Sequence, residues 1–229
     1  MTESDTPNCA GCGLTVSSRA CYTKSGQGPD NCPTQLRTDL AEETRQEYKG
    51  AAVREFARLA SIQEAECYLN RDKRPYLLQA GKTRLQEICE FAGKIGAEKI
   101  GLAFCIGLTQ EARVVDGLFK RQGFDVVSVV CKVGRMPKEE IGLKDDEKVY
   151  IGTDEAACNP ILQAKIFNSA PTGLNVLLGL CVGHDSLFFK YADAYTTVLA
   201  VKDRVSGHNP LAAIYTSGSY YSFMQRPGF

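Results

Sequence analysis

Ten cysteines are the residues of this 229-residue chain with the widest chemical use. Thiolates bind soft metals such as zinc, copper(I) and the iron of iron–sulfur clusters, and they also act as nucleophiles and redox groups. Because the chain has only two histidines, any metal site must be built mainly from thiolates. Four cysteines lie near the N-terminus, four lie between residues 105 and 181, and Cys67 and Cys89 stand apart.

The N-terminal group lies in a segment rich in Gly, Ser, Thr and Asn that has almost no apolar periodicity. Such a segment cannot form a core, and metal binding supplies the folding free energy that it lacks. We therefore predict a four-cysteine metal site with the spacing Cys9-x2-Cys12-x8-Cys21-x10-Cys32. The spacing leaves zinc and an iron–sulfur cluster open, because it matches neither zinc ribbons nor ferredoxins.

The second group occupies equivalent places in a repeating pattern. Cys105, Cys131 and Cys181 end apolar runs that predict strands, and Cys158 precedes an Asn-Pro pair typical of a helix start. The carboxyl ends of parallel strands lie on one edge of a sheet, where ligands bind. We therefore predict that these four cysteines form a second metal site.

The elements that must position this group follow Gly96, where short apolar runs alternate with helical patterns. This alternation predicts an α/β fold with a mostly parallel, doubly wound sheet. The predicted strands cover Lys99 to Cys105, Asp125 to Cys131, Leu174 to Cys181 and Thr196 to Val201. The predicted helices cover about Thr109 to Gln122, Pro160 to Asn168, Ser186 to Tyr191 and Asn209 to Tyr215.

Two helical patterns precede the sheet. One begins at Thr38 or Asp39 and runs to about Asn70, and the other covers about Tyr76 to Lys94. Cys67 and Cys89 fall within them and are predicted to be core thiols. The expected organisation is a metal-binding segment at 1–35, a helical region at 36–96 and an α/β domain at 97–229.

Polar residues gather on the same predicted edge. His184 and Asp185 follow the third strand, and Lys202, Arg204 and His208 follow the fourth. We predict that His184, Asp185 and His208 take part in proton transfer and that Lys202 and Arg204 bind a carboxylate or phosphate. In the alternative interpretation, Asp185 only caps a helix and Arg204 pairs with its neighbouring aspartate.

Composition excludes several classes of protein. Lys plus Arg and Asp plus Glu are both 27, so no charge excess favours nucleic acid or a membrane surface. The longest apolar stretches are far shorter than the roughly 20 residues of a membrane span. The start Met1-Thr2-Glu3-Ser4-Asp5 is acidic and polar, unlike a secretory signal, so we expect a cytoplasmic protein with reduced cysteines.

Five stretches of the sequence resemble, in order, a family of bacterial and archaeal proteins of unknown function, DUF1847, whose members are often described as metal-binding. The resemblance covers nearly the whole chain and implies that the five stretches belong to one site. They are Phe104-Cys105-Ile106-Gly107-Leu108, Val130-Cys131-Lys132-Val133-Gly134, Cys158-Asn159-Pro160-Ile161, Gly179-Leu180-Cys181-Val182-Gly183-His184-Asp185, and Val201-Lys202-Asp203-Arg204-Val205 with Gly207-His208-Asn209-Pro210.

The leading hypothesis is an iron–sulfur protein with one or two clusters, for example of the 4Fe-4S type. If three of the edge cysteines ligate, an open iron could act as a Lewis acid on a small anionic substrate, as in an oxidoreductase or lyase. If four ligate, electron transfer with a donor protein is expected.

Two other classes stay open. One is a protein without catalysis that holds structural zinc at the N-terminal site and senses metals or oxidants through its edge thiols. The other is an enzyme in which Cys181 is the nucleophile and His184 or His208 the base.

Overall fold

The computed structural model describes residues 6–228, so the acidic start at residues 1–5 lies outside it. The chain divides into two compact units, Met1–Ile62 and Gln63–Phe229. The three-part organisation with boundaries at residues 35 and 96 stays a prediction. Within the described part of the chain, none of the helices has the length and apolar character needed to cross a membrane.

The first unit consists of an irregular cysteine-rich segment followed by helices. Short 3₁₀ turns at Cys9–Gly11 and Val16–Ser18 precede the first α-helix. The helices are α1 (Pro33–Leu36), α2 (Thr38–Glu47) and α3 (Ala51–Glu66), the last of which extends beyond the unit's end at Ile62. The prediction of one continuous helix from residue 38 to about 70 is therefore wrong.

The interruption between α2 and α3 falls at residues 48–50. Gly50 ends this interruption, and glycine disfavours a helix interior by about 1 kcal/mol relative to alanine. The Tyr48 amide still bonds the Thr44 carbonyl, whereas the Gly50 amide turns to the Glu47 carbonyl at 3.1 Å. Helical periodicity on both sides of the break concealed it in the sequence.

The second unit contains a four-stranded, all-parallel sheet with the strand order β2-β1-β3-β4. Its strands are β1 (Lys99–Phe104), β2 (Asp125–Val130), β3 (Leu174–Leu178) and β4 (Thr196–Ala200). Phe104 lies opposite both Val130 and Leu178, so the first three strands end level with one another. The predicted parallel α/β fold is confirmed, and all four strands begin where the sequence predicts. The prediction that Cys181 ends the third strand is wrong, because β3 ends at Leu178 and the chain turns at Gly179, whose φ is +68°.

Helices cover both faces of the sheet. The long helices of this unit are α4 (Arg84–Lys94), α5 (Thr109–Arg121), α6 (Pro160–Ser169) and α7 (His184–Tyr191), and α8 (Leu211–Tyr215) is a short one. α4 and α5 bury Ile88 and Phe119 in one core, and α6 and α7 bury Phe167 and Phe188 in the other. All five residues of β3 are buried because it is covered on both faces.

The helix before the sheet begins later than its pattern predicts. α4 starts at Arg84, and the Thr83 hydroxyl accepts the Gln86 amide at 3.3 Å as its N-cap. The preceding residues are extended, because the Leu69 and Gly81 amides hydrogen-bond across to the carbonyls of Gln79 and Cys67 at 2.8 Å. Tertiary pairing thus overrides local helix propensity at residues 76–83.

The two isolated cysteines are core thiols, as predicted. Cys67 is buried and donates its thiol hydrogen to the Gln63 carbonyl at 3.0 Å. Cys89 is half-buried and packs against the core that includes Ile88. Burial raises the pKa of both thiols.

A polar network joins the end of α3 to α4. The Gln63 side-chain amide donates to the Glu90 carboxylate at 2.9 Å, and the Lys82 ammonium pairs with the same group. These two hydrogen bonds hold the pKa of Glu90 down at about 2. The Glu90 carboxylate is therefore ionised over the whole pH range in which proteins are usually stable.

We predict that Glu90→Gln lowers the free energy of unfolding by about 1–2 kcal/mol at pH 7. Because the folded-state pKa is depressed, this stabilisation is present above pH 4.5 and is lost as pH falls towards about 2. Urea denaturation of both proteins across this range measures the difference. Asp125→Asn, which removes a solvent-exposed pair with Lys99, is the control. If the difference in free energy of unfolding between native protein and Glu90→Gln stays the same down to pH 2, the depressed pKa of Glu90 is contradicted.

Candidate thiol site at the sheet edge

The carboxyl edge of the sheet places two cysteines side by side. Cys105 and Cys131 directly follow the last residues of β1 and β2. The Cys131 amide donates to the Phe104 carbonyl at 2.8 Å, and the Cys105 amide donates to the Leu178 carbonyl at 3.1 Å. The parallel hydrogen-bond ladder therefore continues through both cysteines and fixes their backbones.

A third cysteine arrives from the start of α6. The Asn159 amide donates to the Cys131 carbonyl at 2.7 Å, which holds Cys158 beside the end of β2. The Asn159 side chain caps α6 by accepting the Leu162 amide at 3.0 Å, and Pro160 occupies the first helical position. The Asn-Pro pair thus begins the helix and brings Cys158 to the edge.

The side chains of these three cysteines are near enough to shift one another's pKa, and we call Cys105, Cys131 and Cys158 the thiol trio. Cys131 is in the middle and interacts with both of the other thiols. The interaction lowers the pKa of Cys105 and of Cys158 and raises the pKa of Cys131. Because a thiol has one proton, Cys131 can donate to only one of its two neighbours at a time.

Backbone amides also point at the trio. The Ile106 amide donates to Cys131 Sγ at 3.3 Å, and the Gly107 amide hydrogen-bonds the Cys105 sulfur. Both amides belong to the 3₁₀ turn Ile106–Leu108 that follows β1. Amide donors of this kind stabilise negative charge on sulfur and tune cysteine-ligated clusters.

Two cationic side chains compensate the charge on the trio. The Lys202 ammonium hydrogen-bonds the Cys105 sulfur and reaches it from the loop after β4. His184, the first residue of α7, hydrogen-bonds Cys158, and this contact raises the pKa of the imidazole. Each of the two thiolates therefore has a cationic neighbour.

Cys181 lies outside the trio and has a partner of its own. Arg204 Nη2 is 3.2 Å from Cys181 Sγ, and this hydrogen bond raises the pKa of the guanidinium. Gly183 has a φ of +85° at the N-cap of α7, a conformation that favours glycine, and allows the chain to turn from Cys181 into the helix. The Cys181 carbonyl accepts the His184 amide at 3.0 Å across this turn.

Two of the predicted catalytic residues have local structural contacts. Asp185 Oδ1 accepts the Ser186 amide at 2.8 Å in the first turn of α7. His208 Nδ1 accepts the Asp203 amide at 3.1 Å, and the His208 amide donates back to the Asp203 carbonyl at 2.9 Å. His208 therefore shapes the loop that carries Lys202 and Arg204.

The N-terminal cysteines line a pocket of the first unit. All four of the predicted ligands contribute to it, namely Cys9, Cys12, Cys21 and Cys32. The Arg19 side chain connects the loops by donating hydrogen bonds to the carbonyls of Leu14 and Cys12 at 2.9 and 3.2 Å. A side chain at Gly28 would come within 2.5 Å of Cys32 Sγ, so glycine permits the close approach of this loop.

All ten cysteines are free thiols. Within residues 6–228, no group of three or more His, Cys, Asp or Glu side chains stands in an arrangement that could hold a metal ion. The trio has the donor chemistry for a soft metal, because thiolates are the preferred ligands of zinc and iron–sulfur clusters. Metal uptake would require loss of the Cys131 proton and movement of the side chains.

Sequence reasoning missed two features of the edge. The amides of Ile106 and Gly107 carry no side-chain signal, and only the tertiary structure shows that they face sulfur. Gln163 is buried behind the trio, and its one signal in the sequence is a polar residue within an apolar helix pattern.

Comparison with known proteins gives a family but no activity. A family model described as "Protein of unknown function (DUF1847)" matches residues 32–199, which include the trio and Cys181. "Uncharacterized protein MJ0455" of Methanocaldococcus jannaschii is 40% identical over 203 residues, covering 89% of this chain and 92% of that protein. No solved structure matches the chain.

Because Cys131 contacts both neighbours, mild oxidation of the metal-free protein with diamide should form a disulfide from Cys131 to Cys105 or to Cys158. Peptide mapping by mass spectrometry measures this, and Cys67, whose thiol bonds the Gln63 carbonyl and not another cysteine, should stay reduced. Cys131→Ser should abolish both disulfides. A product dominated by Cys181 pairs would contradict the arrangement.

Proposed function

The chain belongs to the DUF1847 family of proteins of unknown function, and we propose from its site that the edge thiols bind an iron–sulfur cluster beside a small anion. The observation that carries this proposal is the convergence of three cysteines from separate parts of the chain, Cys105, Cys131 and Cys158, through the backbone bonds that join the ends of β1 and β2 and the start of α6. Nothing in core packing requires thiols to meet with cations around them. The convergence therefore favours a chemical use over a structural one.

The electrostatics of the edge support thiolate ligation. Lys202 and His184 each hydrogen-bond a sulfur of the trio, and amides of the 3₁₀ turn after β1 donate to two of them. Thiolate is the form that binds metal, so these contacts lower the cost of removing the thiol protons of Cys105 and Cys158. The trio would hold the cluster, which would supply a Lewis-acid iron or an electron-transfer centre.

The placement of Cys181 favours three ligands over four. Its sulfur is hydrogen-bonded by Arg204, whereas the trio sulfurs are hydrogen-bonded through Cys131. We propose that Cys181 and Arg204 face the substrate, and that the fourth ligand position is left to a small molecule. In that case the protein is an enzyme, an oxidoreductase or a lyase. With four ligands it would be an electron carrier that meets a donor protein.

The substrate we propose is a small carboxylate or phosphate. The Arg204 guanidinium is solvent-exposed and keeps donors beyond the one directed at Cys181. The N-terminus of α7, which begins at His184, adds a partial positive charge at the same edge. His184 could return a proton to a bound anion from its position beside Cys158.

The fold places this chemistry at a common ligand position. The strand order reverses between β1 and β3, and ligands of open α/β sheets bind in the crevice at such a reversal. Cys105 follows one of these two strands and Cys181 follows the other. We also propose that the protein is cytoplasmic, where its ten thiols would stay reduced.

For the N-terminal pocket we propose a second metal, zinc or another cluster. Its four cysteines share one pocket, and the segment that carries them is rich in Gly, Ser, Thr and Asn with almost no apolar periodicity that could order it otherwise.

A specific observation supports a second candidate function, thiol-based sensing without catalysis. Cys131 can form a disulfide with either of two neighbours, and no described group stands ready to hold a metal ion. In this candidate, oxidation of the trio is the signal and zinc at the N-terminal pocket is structural.

We predict that protein purified without oxygen contains iron and sulfide, with about four of each per chain for every cluster of the 4Fe-4S type. Cys131→Ser should lose the iron bound at the sheet edge, and Cys12→Ser should lose only the iron bound in the N-terminal pocket. Elemental and sulfide analysis measures both. Cys89→Ala is the control and should keep the native content. Iron content that is unchanged by Cys131→Ser excludes the edge cluster, and colourless protein with one zinc favours sensing.

We predict that Arg204→Ala weakens the binding of inorganic phosphate or malonate by about tenfold or more, because a charge-assisted hydrogen bond is lost. Its metal content should equal that of the native protein. Titration calorimetry measures the affinity. Arg121→Ala, at the end of α5 and hence at the opposite edge of the sheet, is the control. Equal anion affinity in native protein and Arg204→Ala would remove Arg204 from the site.

A further inference from the structure

One buried amide lies directly behind the thiol trio. Gln163 is in the second turn of α6 and is fully buried. The backbone amide of Gln163 makes an ordinary helical hydrogen bond, to the Asn159 carbonyl at 3.1 Å. The side chain, however, points to the sheet and not to solvent or to another polar side chain.

The side-chain nitrogen of Gln163 bonds two strands at once. Nε2 lies 2.7 Å from the Val129 carbonyl oxygen and 3.4 Å from the Phe104 carbonyl oxygen. Phe104 directly precedes Cys105, and Val129 stands two residues before Cys131. β2 is an edge strand of the sheet with β1 as its one strand neighbour, so this donor ties down its end next to β1.

The side-chain oxygen of Gln163 reduces the stability of the fold. Gln163 Oε1 is buried and has no hydrogen-bond donor among residues 6–228. A buried acceptor without a partner destabilises a protein, and a methionine of similar length would fill the space without that cost. What the amide contributes is therefore its double donation to the ends of β1 and β2.

We propose that Gln163 is a positioning residue that sets the spacing of Cys105 and Cys131 by clamping the carboxyl ends of β1 and β2. This inference rests on the thiol trio of the proposed function, but not on which metal or substrate the trio takes. Without the clamp, the Val129 and Phe104 carbonyls would keep only their backbone bonds in the parallel ladder, so the end of β2 would be held less firmly and would shift relative to β1. The sulfur of Cys131 would move with it.

Arsenite is a suitable probe, because trivalent arsenic binds three thiolates together and requires them to be close. The measurement is the arsenite concentration that half-protects the trio peptides of the full, metal-free chain from N-ethylmaleimide, mapped by mass spectrometry. Mapping by peptide separates the trio from the N-terminal cysteines. The variant is Gln163→Met, and the matched control is Asn175→Leu. Asn175 is a fully buried amide at the other end of the sheet that bonds Thr172 and Thr196.

We expect both variants to lower the melting temperature by a few degrees. In Gln163→Met, the arsenite concentration for half-protection of the trio should rise about tenfold or more, whereas Asn175→Leu should match the native protein. Gln163→Asn has a shorter side chain whose amide cannot reach both carbonyls, so it should behave like Gln163→Met. It replaces Gln163→Met in the measurement if Gln163→Met does not fold.

Native-like protection in both Gln163 variants would overturn the inference and leave the proposed function standing. An equal loss in Asn175→Leu would also overturn it, because general destabilisation would then explain the effect. If arsenite does not protect the trio even in the native chain, the trio itself is wrong, and the proposed function fails together with this inference.

Discussion

Parallel pairing of β1, β2 and β3 is the constraint on which the rest of the structure depends. Parallel strands end on the same edge, and the register of these three strands makes them end level. Cys105 and Cys131 therefore extend the ladder by one residue each, through amide bonds to the Leu178 and Phe104 carbonyls. A slip of one residue in either strand would turn one sulfur away from the other. The pairing of Cys105 with Cys131 is thus a direct consequence of strand register, and Cys158 joins them through the bond from the Asn159 amide to the Cys131 carbonyl.

Three neighbouring sulfurs would repel one another as thiolates, and the surrounding groups show how the fold tolerates them. The raised pKa of Cys131 keeps this thiol protonated, while Lys202 and His184 help to lower the pKa of Cys105 and of Cys158. These compensating groups come from separate loops, after β4 and at the start of α7. The edge is consequently a site that exists only in the folded chain. Its chemistry is set by hydrogen bonds to sulfur more than by burial.

Two kinds of cysteine in the same chain differ in their surroundings, and this difference indicates where the chemistry takes place. In Cys67 and Cys89 burial is the main cause of a raised pKa, and Cys89 packs among apolar residues. Cys105 and Cys158 have the opposite shift, a lowered pKa, although Cys105 is also buried. Burial alone therefore does not distinguish the two kinds. Cationic partners and amide donors do, and they are the reason for placing the chemistry at the sheet edge.

The sequence by itself determined the fold class, the four strands and the convergence of their carboxyl ends, because apolar periodicity and parallel topology are local signals with a fixed geometric consequence. It did not determine the start of α4 at Arg84 or the break before α3, where cross-chain pairing and a single glycine outweighed helical pattern. Within the site, the sequence identified the four cysteines of the edge but could not show which of them lie together. Only the tertiary structure separates Cys181 with Arg204 from the trio, because contacts between sulfurs depend on loop paths that no spacing in the chain encodes.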